Sequence, residues 1–221
     1  MTVYDADWYA LVEAEHEFQN PVSAASLCKL GEELRLGPSS RVLDVACGRC
    51  GPALLLAREF GCRLWCVDNQ PAFVDAARAR IAHAELEERI NLLQADASLL
   101  EVTEPGYWDA AICLGASFVF GGLAPTLQRL SAAAPLVAVG EPYLKLSDTL
   151  ALAESAGATV VETIVSSEQD WLEYEAQRMR TLLQWLQTHP EYGDDFRARE
   201  REAQRRRRRE RRGWAILVCR V

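Results

Sequence analysis

The chain has 221 residues, a formal net charge of −8, 49% hydrophobic and 25% charged residues, and seven cysteines. That balance fits one globular domain with a sizeable core. No uncharged apolar run of about 18 residues argues for a spanning helix. An odd cysteine count, mostly in apolar runs, argues against a disulfide framework, and the acidic first residues lack a signal pattern, so a cytoplasmic protein is expected.

Residues 5–35 read as helical, with Trp8, Leu11, Val12 and Glu15, then Ala25, Leu27, Leu30 and Leu34, at helical spacing. Asn20-Pro21 breaks the pattern between two segments, and Pro38-Ser39-Ser40 punctuates the approach to the first strand. From residue 41, strand-like runs (41–46, 63–68, 90–95, 109–114, 135–140) alternate with amphipathic helices (52–60, 71–84, 123–132). Such alternation predicts an α/β fold, a parallel sheet with helices on both faces. A helix over 147–156, a strand over 159–165, a helix over 170–188 ended by His189-Pro190, and a strand over 213–219 complete the chain. The expected organisation is one domain: a helical extension (1–37), a ligand-binding core (38–146) and a C-terminal part (147–221).

Residues 197–212 hold ten arginines and three glutamates, a local +7 that leaves −15 on the remainder. Two readings stay open. The block is either a solvated helix held against an acidic body, or a surface for RNA or another anionic partner.

The stretch Arg41-Val-Leu-Asp-Val-Ala-Cys-Gly-Arg-Cys-Gly51 reads as strand, tight turn and helix start, and Asp68 closes the next apolar run. Parallel sheets bind ligands at such strand ends, where small residues let the backbone approach closely. Ala46-x-Gly48-x-x-Gly51 is a loose form of the turn that seats a pyrophosphate in nicotinamide and flavin proteins. Asp44 would repel those phosphates. A phosphate-free cofactor carrying an ammonium and a sulfonium, S-adenosylmethionine, suits that acid better. Cys47-x-x-Cys50 has no second pair at metal-ligand spacing, so these are expected to be ordinary turn residues with no metal.

Leu43-Asp-x-x-Cys-Gly-x-x-Gly51, Val67-Asp68 and Gln94-Ala-Asp96-Ala97 together resemble the class I S-adenosylmethionine-dependent methyltransferases. Glu15-His16-x-x-x-Asn20-Pro21, Gly115-Ala-Ser-Phe-Val-Phe-Gly121-Gly122 and Gly140-Glu141-Pro142-Tyr143 resemble, further, a bacterial subgroup acting on small molecules. The resemblance implies a Rossmann-like seven-stranded sheet, mostly parallel, with the last strand antiparallel. It implies that Asp68, with Asn69 beside it, meets the ribose, and that Asp96 and Ala97 face the adenine. Asp44, Ala46 and Gly48 would hold the turn and the ammonium, with Cys113, Leu114 and Gly115 on the methionine side. His16, Glu141 and Tyr143 would face a small-molecule substrate. Each of four candidates also has a plain structural role: strand-end acid for Asp68, helix cap for Asp96, helix-end packing for His16, cap or ion-pair acid for Glu141.

Several departures from the family pattern stand out. Ala46 and Cys50 occupy positions where the family often has glycine, and Ser131-Ala-Ala-Ala-Pro135 replaces the usual Pro-Gly-Gly turn. Residues 109–117 lack both the Asn/Asp-Pro-Pro-aromatic and the Pro-Cys patterns of nucleic-acid base methylases. The expected function is therefore methyl transfer to a small molecule. A non-catalytic cofactor-binding or RNA- or protein-interacting member of the fold, and a nicotinamide-dependent oxidoreductase, are the alternatives.

Overall fold

The computed structural model describes residues 3–100 and 107–220, with side chains from Trp8 onward. Helices α1 (Val3–Val12) and α2 (Ala24–Glu33) precede an alternating series: β1 (Arg41–Val45), α3 (Gly51–Phe60), β2 (Arg63–Asp68), α4 (Pro71–His83), β3 (Ile90–Gln94), β4 (Ala110–Leu114), α5 (Leu123–Ser131) and β5 (Leu136–Tyr143). Then come α6 (Leu146–Ser155), β6 (Thr159–Val165), α7 (Glu168–Trp185), α8 (Gly193–Glu210) and β7 (Gly213–Arg220).

The strands form one seven-stranded sheet in the order β3-β2-β1-β4-β5-β7-β6. Strands β1 to β5 pair in parallel, while β7 runs antiparallel to both β5 and β6. The strand order reverses direction between β1 and β4. A parallel sheet opens a crevice at the C-terminal ends of its strands at such a point.

Period-two alternation sorts each strand between two apolar layers. Val42, Leu64, Ala110, Ile112 and Ala138 pack with Leu27, Leu30 and Leu56 of α2 and α3. Leu43, Val45, Ala111, Cys113, Val137 and Val139 pack with Leu127 and Leu130 of α5. Away from the sheet, Trp8 and Val12 of α1 meet Leu182, Leu186 and Phe196 from α7 and the start of α8. A capping box starts α7: Ser167 and Asp170 each accept from the other's backbone N–H.

Three differences from the sequence reading matter. Helix α1 stops at Val12, so residues 13–22 form a loop rather than continuing the helix to Asn20. The carbonyls of Glu13, His16 and Glu17 in that loop accept from arginine side chains, which replaces part of a helical ladder. Strand β5 runs on to Tyr143, three residues past the expected end. Most of the arginine block lies on α8. Among the described residues no helix is long and apolar enough to cross a membrane.

Candidate active site

The chain leaves β1 through a turn in which Ala46, Gly48 and Cys50 all have left-handed backbone, at φ 54, 55 and 56°. For a residue with a Cβ this conformation costs about 1–2 kcal/mol, so Ala46 and Cys50 hold strain that glycine would avoid. Pro52 then sits in the first turn of α3, where a missing N–H is tolerated.

Asp68, at the end of β2, fastens this turn. Its Oδ2 accepts from Gly48 N at 2.8 Å and its Oδ1 from Gln70 N at 2.9 Å. Burial raises the Asp68 carboxyl above its ordinary range, and the two N–H bonds pull it back. Asp44, beneath the turn, is 2% exposed, and its Oδ2 has no partner among the described residues. Burial, then Cys50 and the Asp68 charge, push its carboxyl well up.

The loop 13–22 covers the turn. Gln19 Oε1 accepts from Arg49 N at 2.7 Å, and Asn20 Nδ2 donates to the Leu114 carbonyl at 2.9 Å. Arg49 Nη1 donates to the carbonyls of Glu13 and His16 at 3.0 and 3.1 Å. Arg80 donates to Arg49 O at 3.0 Å and to Glu17 O at 3.3 Å, so two arginines staple the cover down. Gly115, at φ 87°, permits a close approach of the cover: a Cβ there would overlap the Asn20 amide.

Turn and cover enclose a cavity of about 670 Å³. Of the expected cofactor residues, Asp44, Ala46, Gly48, Asp68, Asn69 and Gly115 line it. Leu114 lines it too, and so does Phe118, an aromatic that the sequence offers either to a substrate wall or to the core. Tyr9, Gln19, Asn20, Gln70 and Phe73 also line it and are not assigned to the site by the sequence. The Asn20-Pro21 signal was visible in the sequence, but its target, a carbonyl 94 residues away, was not. Phe118 is 69% exposed and marks the rim. Among the described residues, no lysine, arginine or histidine lines it.

The structure does not bring the remaining expected site residues to this cavity. Cys113 points the other way, into the α5 layer, because it alternates with Leu114. Ala97 is also buried in that layer. Asp96 caps a short 3-10 turn at residues 97–99, accepting from Ser98 N at 2.9 Å and Ser98 Oγ at 2.7 Å. Those bonds lower its carboxyl.

The three substrate-side candidates sit elsewhere as well. Glu141 lies near Ser117, directly before the lining residues Phe118 and Val119. Burial raises its carboxyl, and its Oε2 is unpartnered among the described residues. Tyr143 lines a separate cavity at the far end of β5.

His16 is buried behind the cover. Its Nε2 meets the Tyr174 carbonyl at 3.1 Å, and its Nδ1 faces Glu13 Oε2 at 3.3 Å. A carbonyl only accepts, so Nε2 carries the hydrogen. Glu13 Oε2 and His16 Nδ1 have no other partner among the described residues, so a proton held between them satisfies both. Burial pushes Glu13 up to about 7 and His16 down to about 4. Glu13 Oε1 accepts from Tyr174 Oη at 2.6 Å and from Arg178, whose guanidinium also grips both Glu200 oxygens at 3.0 and 3.1 Å. This polar knot joins the cover to α7 and α8.

Cys66 of β2 joins the Cys47-x-x-Cys50 pair, putting three buried Sγ atoms within 4.8 Å of one another. Neighbouring strands, not chain spacing, make that grouping.

Residues 42–134 match the model of a family described as "Methyltransferase domain". A structure from Geobacter sulfurreducens, titled a SAM-dependent methyltransferase in complex with S-adenosyl-L-homocysteine, is 26% identical, with a TM-score of 0.87 over 96% of this chain and 97% of that one. One from Thiobacillus denitrificans, titled likewise, is 25% identical, with a TM-score of 0.86 over 96% of each chain. The Escherichia coli protein YjhP, described as uncharacterized, is 28% identical over 87% of this chain and 86% of its own length.

Proposed function

We propose that this chain is an S-adenosylmethionine-dependent methyltransferase whose acceptor is a small organic molecule. The observation that carries the acceptor class is the closed cover. With Gln19 and Asn20 bonded down, the cavity of about 670 Å³ lies in the ordinary range for a small-molecule pocket. The cofactor itself takes up much of that space.

The residues present fit the cofactor. The orphaned, buried Asp44 oxygen would receive its ammonium, which also returns Asp44 to the ionised form. Asp68 keeps lone pairs free beyond its two backbone bonds and would accept from the ribose hydroxyls. The backbone at Gly48 and Gly115 leaves room for close contact. Two carboxylates and no cationic side chain in the lining suit a positively charged ligand and disfavour a pyrophosphate, which weighs against a nicotinamide dinucleotide.

When bound, the cofactor supplies an already activated methyl group on sulfonium. The protein's task is then to align the acceptor and keep water out. Phe73 and Phe118 give the cavity apolar walls, and the Asn20 cover closes it from above. Glu141 lies beneath the wall at residues 117–120 and is not among the residues lining the cavity.

Thermal unfolding with S-adenosylhomocysteine, S-adenosylmethionine, nicotinamide dinucleotide or buffer tests the cofactor, and turnover against a panel of small amines, thiols and acids tests the acceptor. A ligand at 100 times its Kd stabilises by about 2.7 kcal/mol. Stabilisation by the sulfur compounds alone is expected, and methylation of a structured RNA with no small acceptor would overturn the proposal.

A further inference from the structure

A second cavity, of about 340 Å³, opens where Tyr143 ends β5, Ser166 follows β6, α7 begins and α8 runs into β7. Because β4 and β5 are parallel neighbours, it lies on the same edge of the sheet as the first cavity. Its chemistry is the reverse. Among the described residues, Arg207, Arg208, Arg211 and Arg212 line it, with Glu168 the only acid.

Two buried polar atoms in its lining lack partners among the described residues: Ser166 Oγ and Trp171 Nε1. Trp171 Nε1 can only donate. Buried donors are costly to leave unmet, so their presence beside arginines points to an acceptor-rich ligand.

The arginines are held in place before any ligand arrives. Arg207 bonds Glu175 Oε1 at 2.7 Å and Glu168 Oε1 at 3.3 Å, and its guanidinium lies 4.7 Å above the Trp171 ring. Arg208 takes the other Glu175 oxygen at 2.9 Å, and Arg212 bonds Glu210 at 2.6 Å. Each guanidinium keeps N–H groups that these bonds do not use. Arg211, in left-handed backbone at φ 50°, has no acidic partner among the described residues. Gly213 completes the pocket, since a Cβ there would overlap the Tyr143 ring.

We infer that this cavity is a binding site for the phosphate- or sulfate-type oxyanion group of a small molecule. The site stands on its own residues and does not depend on the methyl-transfer reading. Its arginines line a concavity too small for a nucleic-acid strand, with Ser166 and Trp171 among its walls. That geometry favours a small ligand over RNA laid along α8.

Calorimetric titration with inorganic phosphate and with phenyl phosphate, at constant ionic strength, tests the inference. The proteins are wild type, Arg211→Gln, Ser166→Ala and, as a control on the exposed face of α8, Arg205→Gln. One saturable site is expected in wild type, at least about ten-fold weaker in Arg211→Gln and Ser166→Ala and unchanged in Arg205→Gln. Unchanged melting temperatures of the ligand-free variants and unchanged S-adenosylhomocysteine affinity would confirm that only this cavity was altered. Tighter binding of phenyl phosphate assigns the group to a phosphomonoester, and binding of phosphate alone assigns it to the free ion. No saturable binding in wild type, or equal weakening in Arg205→Gln together with short-RNA binding, would overturn it.

Discussion

Asn20 donates its side-chain N–H to the carbonyl of Leu114 at 2.9 Å, so a loop near the start of the chain is tied to the end of β4. The carbonyl is held by the sheet, and the amide brings the cover to it. Replacing Asn20 with Ala removes a bond worth about 0.5–1.5 kcal/mol. S-adenosylhomocysteine should then bind roughly two- to twelve-fold more weakly, with the fold intact by circular dichroism. Unaltered affinity would mean that the cover does not help to hold the cofactor.

Asp68→Ala should do more. It strips the acceptor from Gly48 N and Gln70 N as well as from the ribose. Hydrogen bonds to charged groups are worth about 1.5–3 kcal/mol, which predicts a 10- to 150-fold loss of S-adenosylhomocysteine affinity. Because the turn is also released, the ligand-free protein should unfold at lower urea. Lost stability with full affinity would sink the ribose assignment and leave Asp68 a turn fastener only.

Glu13 and His16 predict a pH response with a definite sign. Glu13, raised to about 7, makes the native state bind the extra proton above pH 4.5, so its contribution falls as pH climbs to 7. His16, lowered to about 4, makes the unfolded state bind the extra proton up to pH 6.5, so its contribution grows as pH climbs from 4. Between about 4.5 and 6.5 the two slopes oppose each other, as expected of one proton held by two groups. In Glu13→Gln only the histidine slope remains. Stability of that variant should rise with pH over this window, by up to about 1.4 kcal/mol per unit, relative to wild type. Urea melts at several pH values would show it, and parallel profiles would exclude the shared proton.

Arg178 is the cation of the same knot. Arg178→Ala leaves Glu13 and Glu200 buried without their counter-charge. Breaking a buried pair this way costs about 3–5 kcal/mol. Arg178→Lys should recover little of that, because an ammonium cannot grip both Glu200 oxygens as the guanidinium fork does. Full recovery in the lysine variant would show that charge alone is needed.

How much of this was readable beforehand follows from the range of each interaction. Asp44, Gly48 and Asp68 were legible because strand-turn-helix chemistry is written in neighbouring residues, and the alternation of elements gave the sheet. Gln19 and Asn20 were visible only as part of a motif, since what they touch lies across the fold. Cys113 and Leu114 are neighbours in the motif but not in space: one step along a strand sends the side chain to the opposite layer. Cys66 could not be grouped with Cys47 and Cys50 until β2 was laid beside β1. His16 read as a substrate-side base, and the structure instead gives both of its ring nitrogens a protein partner. The arginine run gave its charge to sequence inspection but hid that Arg207 faces inward.

The position of β7 between β5 and β6 has a bearing on how the chain is made. During synthesis β6 emerges before α7, α8 and β7, and until β7 inserts, its backbone edges have no strand to meet. Unpaired edges recruit other chains, and pairings across such long sequence separations form slowly. The interval before β7 arrives is therefore when a nascent chain is most exposed to aggregation. Slowing translation between β6 and β7 should lower soluble yield, and a pause after β7 should not.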